Sequence, residues 1–138
     1  MTFNKTKIHF YSKKKQGEQH LTDYLQVKEF ACHDGSDGIY IDNNLVYIVN
    51  EVRKHFGKPI YINSGYRTES YNRYVGGVKN SYHIHGMAAD VWLKGVPAQK
   101  IYDWLCLVFP DYYGVILYKN QGFVHIDTRE KPYREVRK

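Results

Sequence analysis

The apolar residues of the chain follow a helical period in two segments. In the first, five apolar residues share one helical face: Leu45, Ile48, Val49, Val52 and Phe56. Asp42 is a good N-cap for this segment and Gly57 can close it, which predicts a helix of about 13 residues. In the second, the apolar residues from Ile101 to Val108 share one helical face, and Pro97 and Pro110 mark the start and the end of the predicted helix. A short helix is also predicted from Glu69 to Tyr74.

β-Branched and aromatic runs predict four strands, at residues 59–63, 88–93, 113–118 and 123–127. Residues 119–122, between the last two, form a plausible hairpin turn. Residues 27–42 consist of short apolar pieces interrupted by Gly and Asp, and we predict no regular element across them. The sum predicts an α+β fold with a mostly antiparallel sheet backed by helices.

The length of 138 residues suits one domain with its own core. A hydrophobic fraction of 43%, with 16% aromatic residues, excludes a disordered chain. Residues 1–25 are polar and basic without a sustained period, and we interpret them as an arm or a weak edge strand. We therefore divide the chain into a basic N-terminal arm at residues 1–24 and a domain at residues 25–138.

The formal net charge of +6 favours anionic polymers as partners without choosing among them. The sequence has no apolar run long enough for a signal peptide or a membrane span, so we expect synthesis in the cytoplasm and no membrane partner. A substrate outside the cell would then require delivery through a separate pore. Cys32 and Cys106 do not form a close CxxC-type pair and are expected to be reduced, buried thiols. We expect a monomer.

Two histidines and a carboxylate, His83, Asp90 and His125, form a candidate metal site. A catalytic zinc needs three protein ligands of this kind and an open fourth position for water. The spacing alone leaves an alternative open, in which His83 is a loop histidine and His125 is a hydrogen-bonded strand histidine.

Three motifs occur in the order known from one enzyme family. They are Ser64-Gly65-Tyr66-Arg67-Thr68 with the downstream Asn72 and Val75-Gly76-Gly77, then Ser81-x-His83-x-x-Gly86-x-Ala88-x-Asp90, and finally Phe123-Val124-His125-x-Asp127. Together they resemble the zinc D-alanyl-D-alanine carboxypeptidase family, over about residues 25–130, and in particular a short branch ending in His-x-Asp. The resemblance implies a Hedgehog/DD-peptidase-like fold with zinc held by His83, Asp90 and His125.

The resemblance also implies roles for residues around the metal. Arg67 would contact the substrate and stabilise the developing oxyanion, the alternative being a surface or ion-paired arginine. Ser81 would contact the substrate or only cap a turn. His85 has a possible substrate role if it faces the same cleft, although loop histidines are usually solvated.

The sequence departs from the family at the general base. Better-known members have Glu or Asp three residues before the final histidine, where this chain has Gly122. Asp127 is the best replacement, because residues two apart on a strand face the same side. Its alternative role is to orient a ligand histidine without accepting a proton.

We therefore expect a zinc metallopeptidase that hydrolyses D-amino-acid-containing peptide bonds of peptidoglycan, as a DD-carboxypeptidase or as an endopeptidase of the endolysin type. The partner is then a peptidoglycan stem peptide. A non-catalytic zinc-containing module that binds the cell wall or a protein is the alternative, and Gly122 is its main support. Nucleic-acid binding through the basic arms ranks third and is not expected.

Overall fold

The computed structural model describes residues 7–138 and contains both helices and strands. The strands are β1 (Ile8–Ser12), β2 (Gly38–Asp42), β3 (Ile60–Ser64), β4 (Ala88–Leu93), β5 (Gly114–Tyr118), β6 (Phe123–Asp127) and β7 (Tyr133–Arg137). The α-helices are α1 (Lys13–Gln16), α2 (Asn43–Phe56), α3 (Glu69–Tyr74) and α4 (Ala98–Val108). Two 3-10 turns span Val27–Phe30 and Tyr82–His85.

Five strands form the main sheet, in the order β3-β4-β6-β5-β7. All neighbouring pairs are antiparallel except β5 and β7, which run parallel. The first two strands, β1 and β2, form a separate antiparallel pair. This arrangement confirms the predicted α+β class with a mostly antiparallel sheet.

The two faces of the main sheet differ in chemistry. On β4 and β6 the residues Ala89, Val91, Val124 and Ile126 are fully buried in the hydrophobic core, together with the apolar faces of α2 and α4. Because side chains alternate along a strand, Asp90 and His125 project from the opposite face. The sheet therefore places its polar residues on the face opposite the helices.

Several predicted elements are confirmed with their end signals. Helix α2 begins after Asp42, whose side chain accepts a hydrogen bond from the Asn44 N–H, and ends at Gly57 in the left-handed conformation. Helix α3 spans the predicted residues, and the antiparallel pairing of β5 with β6 confirms the hairpin. Pro97 lies at the N-cap of α4.

Three predictions need correction or comment. The expectation of no regular element across residues 27–42 is wrong, because Val27–Phe30 forms a 3-10 turn and β2 pairs with β1. Residues 1–25 were interpreted as an arm or a weak edge strand, and Ile8–Ser12 forms a strand. Residues 1–6 lie outside the described part of the chain. Both cysteines are free thiols, but only Cys32 is buried and Cys106 is half-buried.

Within residues 7–138 no helix has the length and apolar character needed to cross a membrane.

Candidate metal centre and cleft

The three predicted metal ligands meet on the polar face of the sheet. Asp90 on β4 and His125 on β6 are directly paired across the antiparallel ladder. His83 reaches the same point from the Tyr82–His85 turn, and one ligand atom from each of the three residues lies within 4.8 Å of the other two. All three residues are at least nine-tenths buried. The structure therefore brings together the set that the sequence predicted.

His83 is held by hydrogen bonds from its ring and from its main chain. Its Nδ1–H donates to the Gly65 carbonyl at 2.7 Å, and its main-chain N–H donates to the Ser81 hydroxyl at 3.1 Å. The Arg67 N–H donates to the His83 carbonyl at 3.0 Å. These bonds fix the ring so that its other nitrogen, Nε2, lies 3.3 Å from an Asp90 carboxylate oxygen.

His125 lies between two carboxylates. Its Nε2 hydrogen-bonds Asp127 at 2.8 Å, and its Nδ1 lies 2.9 Å from Asp90. Burial disfavours the charged ring, but the hydrogen bonds to Asp127 and Asp90 outweigh that effect and raise the pKa of His125 to about 9. Burial likewise opposes ionisation of Asp90, and hydrogen bonds from His125 and His83 nonetheless hold its pKa below the ordinary value.

Asp127 is fully buried behind His125 and is bound by Arg129. The guanidinium of Arg129 donates two hydrogen bonds of 2.7 Å, one to each carboxylate oxygen, and the Arg129 main-chain N–H adds a third at 3.2 Å. Burial alone would raise the pKa of Asp127, but the bonds from Arg129 and His125 lower it to about 2. Gly114 leaves the necessary space, since a methyl group there would overlap the Asp127 carboxylate. Both oxygens of Asp127 are therefore occupied.

Arg67 lies beside Asp90, whose carboxylate also contacts His83 and His125. Its Nε donates to Ser64 at 2.9 Å and its Nη1 to Asn72 at 3.1 Å, while Nη2 lies 3.5 Å from the Asp90 carboxylate. Only 14% of the Arg67 side chain is exposed. This cation is thus held in a fixed orientation beside the metal ligands.

A cleft of about 500 Å³ opens over this cluster. Its floor is formed by the polar face of β4, β6 and β5, and its rim includes Tyr133 and Arg137 from β7. Among the described residues, three arginines line it, Arg67, Arg129 and Arg137, and Asp90 is the only carboxylate that does so. Each of the three arginines pairs with a carboxylate, Arg67 with Asp90, Arg129 with Asp127 and Arg137 with Glu135, so the charge of the lining is largely balanced.

The other predicted site residues have different positions. Ser81 is buried, lines the cleft and caps the 3-10 turn, so its capping role is present in the structure. Asp127 does face His125 as expected, but it lies behind the ring and does not line the cleft. His85 is exposed and hydrogen-bonds Asn80 at 2.8 Å, and the structure does not bring it into the cleft. It lines a neighbouring cavity instead.

The sequence did not point to Arg129, Tyr133 or Arg137. Arg129 stacks between two tyrosine rings, with its guanidinium carbon 4.8 Å from the centre of Tyr82 and 4.5 Å from that of Tyr133. Its place two residues after Asp127 is the only signal in the sequence that links it to the site. Tyr133 and Arg137 belong to β7, a strand that the sequence pattern did not predict.

The residues at this centre fit a transition metal such as zinc. Each histidine has one ring nitrogen bonded away from the cluster, to Gly65 or Asp127, and the other directed at Asp90. A partner behind each ring is typical of metal-ligating histidines. Two imidazoles and one carboxylate leave a fourth position for the reacting group, as in catalytic zinc sites. The fold and the site thus define a metallopeptidase type of centre.

Comparison with known families identifies the class. The family model described as Peptidase M15 matches residues 23–127, so the chain belongs to the peptidase M15 family. Peptidases of this family depend on a metal, usually zinc, and are of the peptidoglycan-peptidase type. The family resemblance inferred from the three sequence motifs is confirmed. A comparison with curated proteins finds no match to the chain.

Proposed function

We propose that the protein hydrolyses D-amino-acid-containing peptide bonds in peptidoglycan stem peptides, with zinc held by His83, Asp90 and His125. The observation that carries the proposal is the convergence of these three ligands at the floor of a cleft of about 500 Å³. Zinc bound there would acidify a water and polarise the scissile carbonyl. Hydrolysis of purified peptidoglycan that stops on chelation and returns with added zinc tests the proposal.

The guanidinium of Arg67 beside the metal ligands supports a substrate with a carboxylate near the cut bond. A guanidinium binds a carboxylate through two parallel N–H bonds, which gives orientation as well as affinity. Of the three arginines that line the cleft, Arg67 has the longest ion pair, at 3.5 Å to Asp90, whereas Arg129 and Arg137 hold their carboxylates at 2.7 and 2.5 Å. The cleft is open at its rim, so removal of a terminal D-amino acid and cleavage within a stem peptide are both within the proposal.

Arg67 is proposed to stabilise the negative charge that develops on the carbonyl oxygen. Its side chain is fixed by Ser64 and Asn72, so it would not have to reorganise during the reaction. It also lies beside Asp90, at the edge of the metal centre that faces the cleft. A preorganised cation in this position acts most strongly because the site is largely shielded from water.

Arg67→Lys is expected to slow hydrolysis by about 10- to 1000-fold while folding and zinc content stay near normal, because lysine keeps the charge but loses the planar fork. Turnover of a defined peptide, measured with zinc content and melting temperature, checks this. Arg53→Lys, at an arginine stacked on Tyr24 away from the cleft, is the matched control. Unchanged turnover in Arg67→Lys would make Arg67 a structural residue.

The proton acceptor is the part of the mechanism in which this chain differs most from the family pattern. Gly122 has no group to accept a proton, and both oxygens of Asp127 are bound by Arg129 and His125. We therefore propose that Asp127 orients His125. Glu135 on β7 lies in the same cross-strand row as Ile116 and His125, and it hydrogen-bonds Tyr133 and Arg137 at the cleft rim. Because these bonds engage both of its oxygens and it does not line the cleft, Glu135 is no better placed than Asp127, and the proposal names no acceptor among the described carboxylates.

Asp127→Asn is expected to separate the orienting role of Asp127 from a role as general base. Loss of an orienting carboxylate should weaken zinc affinity by about 10- to 100-fold. Loss of a general base should instead lower the rate by at least about 100-fold with zinc affinity unchanged. Zinc titration and rates at saturating zinc measure both effects, with Glu130→Gln as an exposed control. If Asp127→Asn keeps its zinc affinity but loses the rate, Asp127 is the base and the proposed orienting role is wrong.

A further inference from the structure

A second cavity lies next to the metal cleft and has no role in the function proposed above. Its volume is about 620 Å³, and it is lined by α3, by Gly77, Lys79 and Asn80, and by the end of the Tyr82–His85 turn. The two cavities share Gly77 and Asn80 in their walls. A peptide in the metal cleft would therefore have a second concave surface on the other side of this shared wall.

The shared wall is held rigidly to Arg67 through Asn72. The Asn72 amide donates to the Val78 carbonyl at 2.9 Å, and its oxygen accepts from Arg67 at 3.1 Å. Gly77 packs so closely that a methyl group there would overlap the Asn72 side chain. Asn80 adopts a left-handed backbone with φ of 60°, which is uncommon for a residue other than glycine. The wall is thus a fixed part of both cavities.

The charges that line the second cavity favour an anion. Arg73 and Lys79 contribute two cations, and in the described part of the chain neither lies within 4 Å of a carboxylate. Glu69 is the only acidic residue among the lining residues. His85 hydrogen-bonds Asn80 through Nε2, which leaves its Nδ1 free for a ligand. Unpaired cations in a concave site suit a carboxylate, which Arg73 can bind through two N–H groups.

We infer that the second cavity is a subsite for an acidic residue of the same peptide whose scissile bond lies at the metal centre. This inference rests on the proposed function and specifies its substrate further, as a peptide with a free carboxylate on one side of the cut bond. In this subsite His85 would contact the substrate outside the metal cleft. Arg73 and Lys79 determine the preference for the acid.

The test compares two stem peptides that are identical except for a free carboxylate or a carboxamide at the acidic residue. Binding to the zinc-loaded protein is measured by calorimetry, and cleavage by mass spectrometry. The free acid is expected to bind about 10-fold more tightly, the effect of a charge-assisted hydrogen bond. In the double variant Arg73→Gln, Lys79→Gln the ratio of the two affinities should fall to about 1.

A matched control removes two positive charges elsewhere, in Lys94→Gln, Lys100→Gln, at exposed lysines that do not line the cavity. This control should retain the 10-fold ratio. Equal affinity of the unmutated protein for both peptides would overturn the subsite, as would an unchanged ratio in the Arg73, Lys79 variant. Failure of the proposed function gives a different result, in which the zinc-loaded protein cuts neither peptide whatever their relative affinities.

Discussion

Replacing Asp90 with alanine is expected to reduce the bound zinc from one ion per chain to a small fraction and to abolish hydrolysis. Asp90 is the central member of the site, since His83 and His125 both direct a ring nitrogen at its carboxylate. Two imidazoles alone lack the third protein ligand that a catalytic zinc site needs. His83→Ala and His125→Ala should have the same effect.

Elemental analysis of protein purified without added metal measures this loss. Asp103→Ala is the matched control, because Asp103 lies on α4 and hydrogen-bonds only Gln99 among the described contacts. The control should keep full zinc content and activity. Stoichiometric zinc in purified Asp90→Ala protein would show that the metal is bound elsewhere.

Replacing Arg129 with alanine is expected to weaken zinc binding without removing any ligand. Arg129 binds both oxygens of Asp127, and Asp127 in turn holds the Nε2 side of His125. Without Arg129 the fully buried Asp127 loses its cationic partner, which should lower the free energy of unfolding by about 3–5 kcal/mol. Zinc affinity should fall by about 10- to 100-fold, as for other residues that orient a ligand histidine. Arg129→Lys should retain part of the stability and part of the zinc affinity.

Arg134→Ala separates the effect on zinc from a general loss of stability. Arg134 donates to the carbonyls of Phe109 and Tyr113 and does not line the cleft, so its loss should lower the melting temperature while zinc affinity stays unchanged. Competition with a chromophoric chelator gives the affinities. Equal zinc affinity in Arg129→Ala and the unmutated protein would contradict the orienting role of Asp127 and Arg129.

The elements with strong local signals could be predicted from the sequence. Helix α2 has a consistent apolar face, an N-cap at Asp42 and a glycine at its end, and each signal acts within a few residues. Strands β4 and β6 were recognisable because their runs are rich in apolar residues that become buried. In these segments local preference and tertiary packing agree.

The missed strands depend on their partners. Strand β7 has the sequence Tyr-Arg-Glu-Val-Arg, which is mostly charged and half-exposed, and its conformation is set by parallel pairing with β5. Strand β2 follows a loop rich in Gly and Asp and pairs with β1. In both cases the stabilising bonds connect residues distant in sequence, which local patterns do not report.

The metal ligands could be predicted only through the family motifs. The residues that hold the ligands in place and form the cleft rim could not be predicted from the sequence. His83, Asp90 and His125 are separated in sequence, and the sheet register brings Asp90 opposite His125. The roles of Arg129 and of the cleft rim required the fold, because Arg129 follows the strand and Tyr133 lies on the missed β7. The fold also showed that His125 and Arg129 bind both oxygens of Asp127, and we therefore propose that Asp127 orients His125 and is not the base.

Hydrolysis of defined stem peptides by the zinc-loaded protein, with the products identified by mass spectrometry, tests the central proposal most directly. The proposal predicts cleavage at a bond that involves a D-amino acid, its loss after chelation, and its recovery with zinc but not with magnesium. Parallel Asp90→Ala protein should release no product. If the protein holds zinc and binds these peptides yet releases nothing across the pH range in which a zinc-bound water ionises, it is a binding module and the proposed peptidase function is wrong.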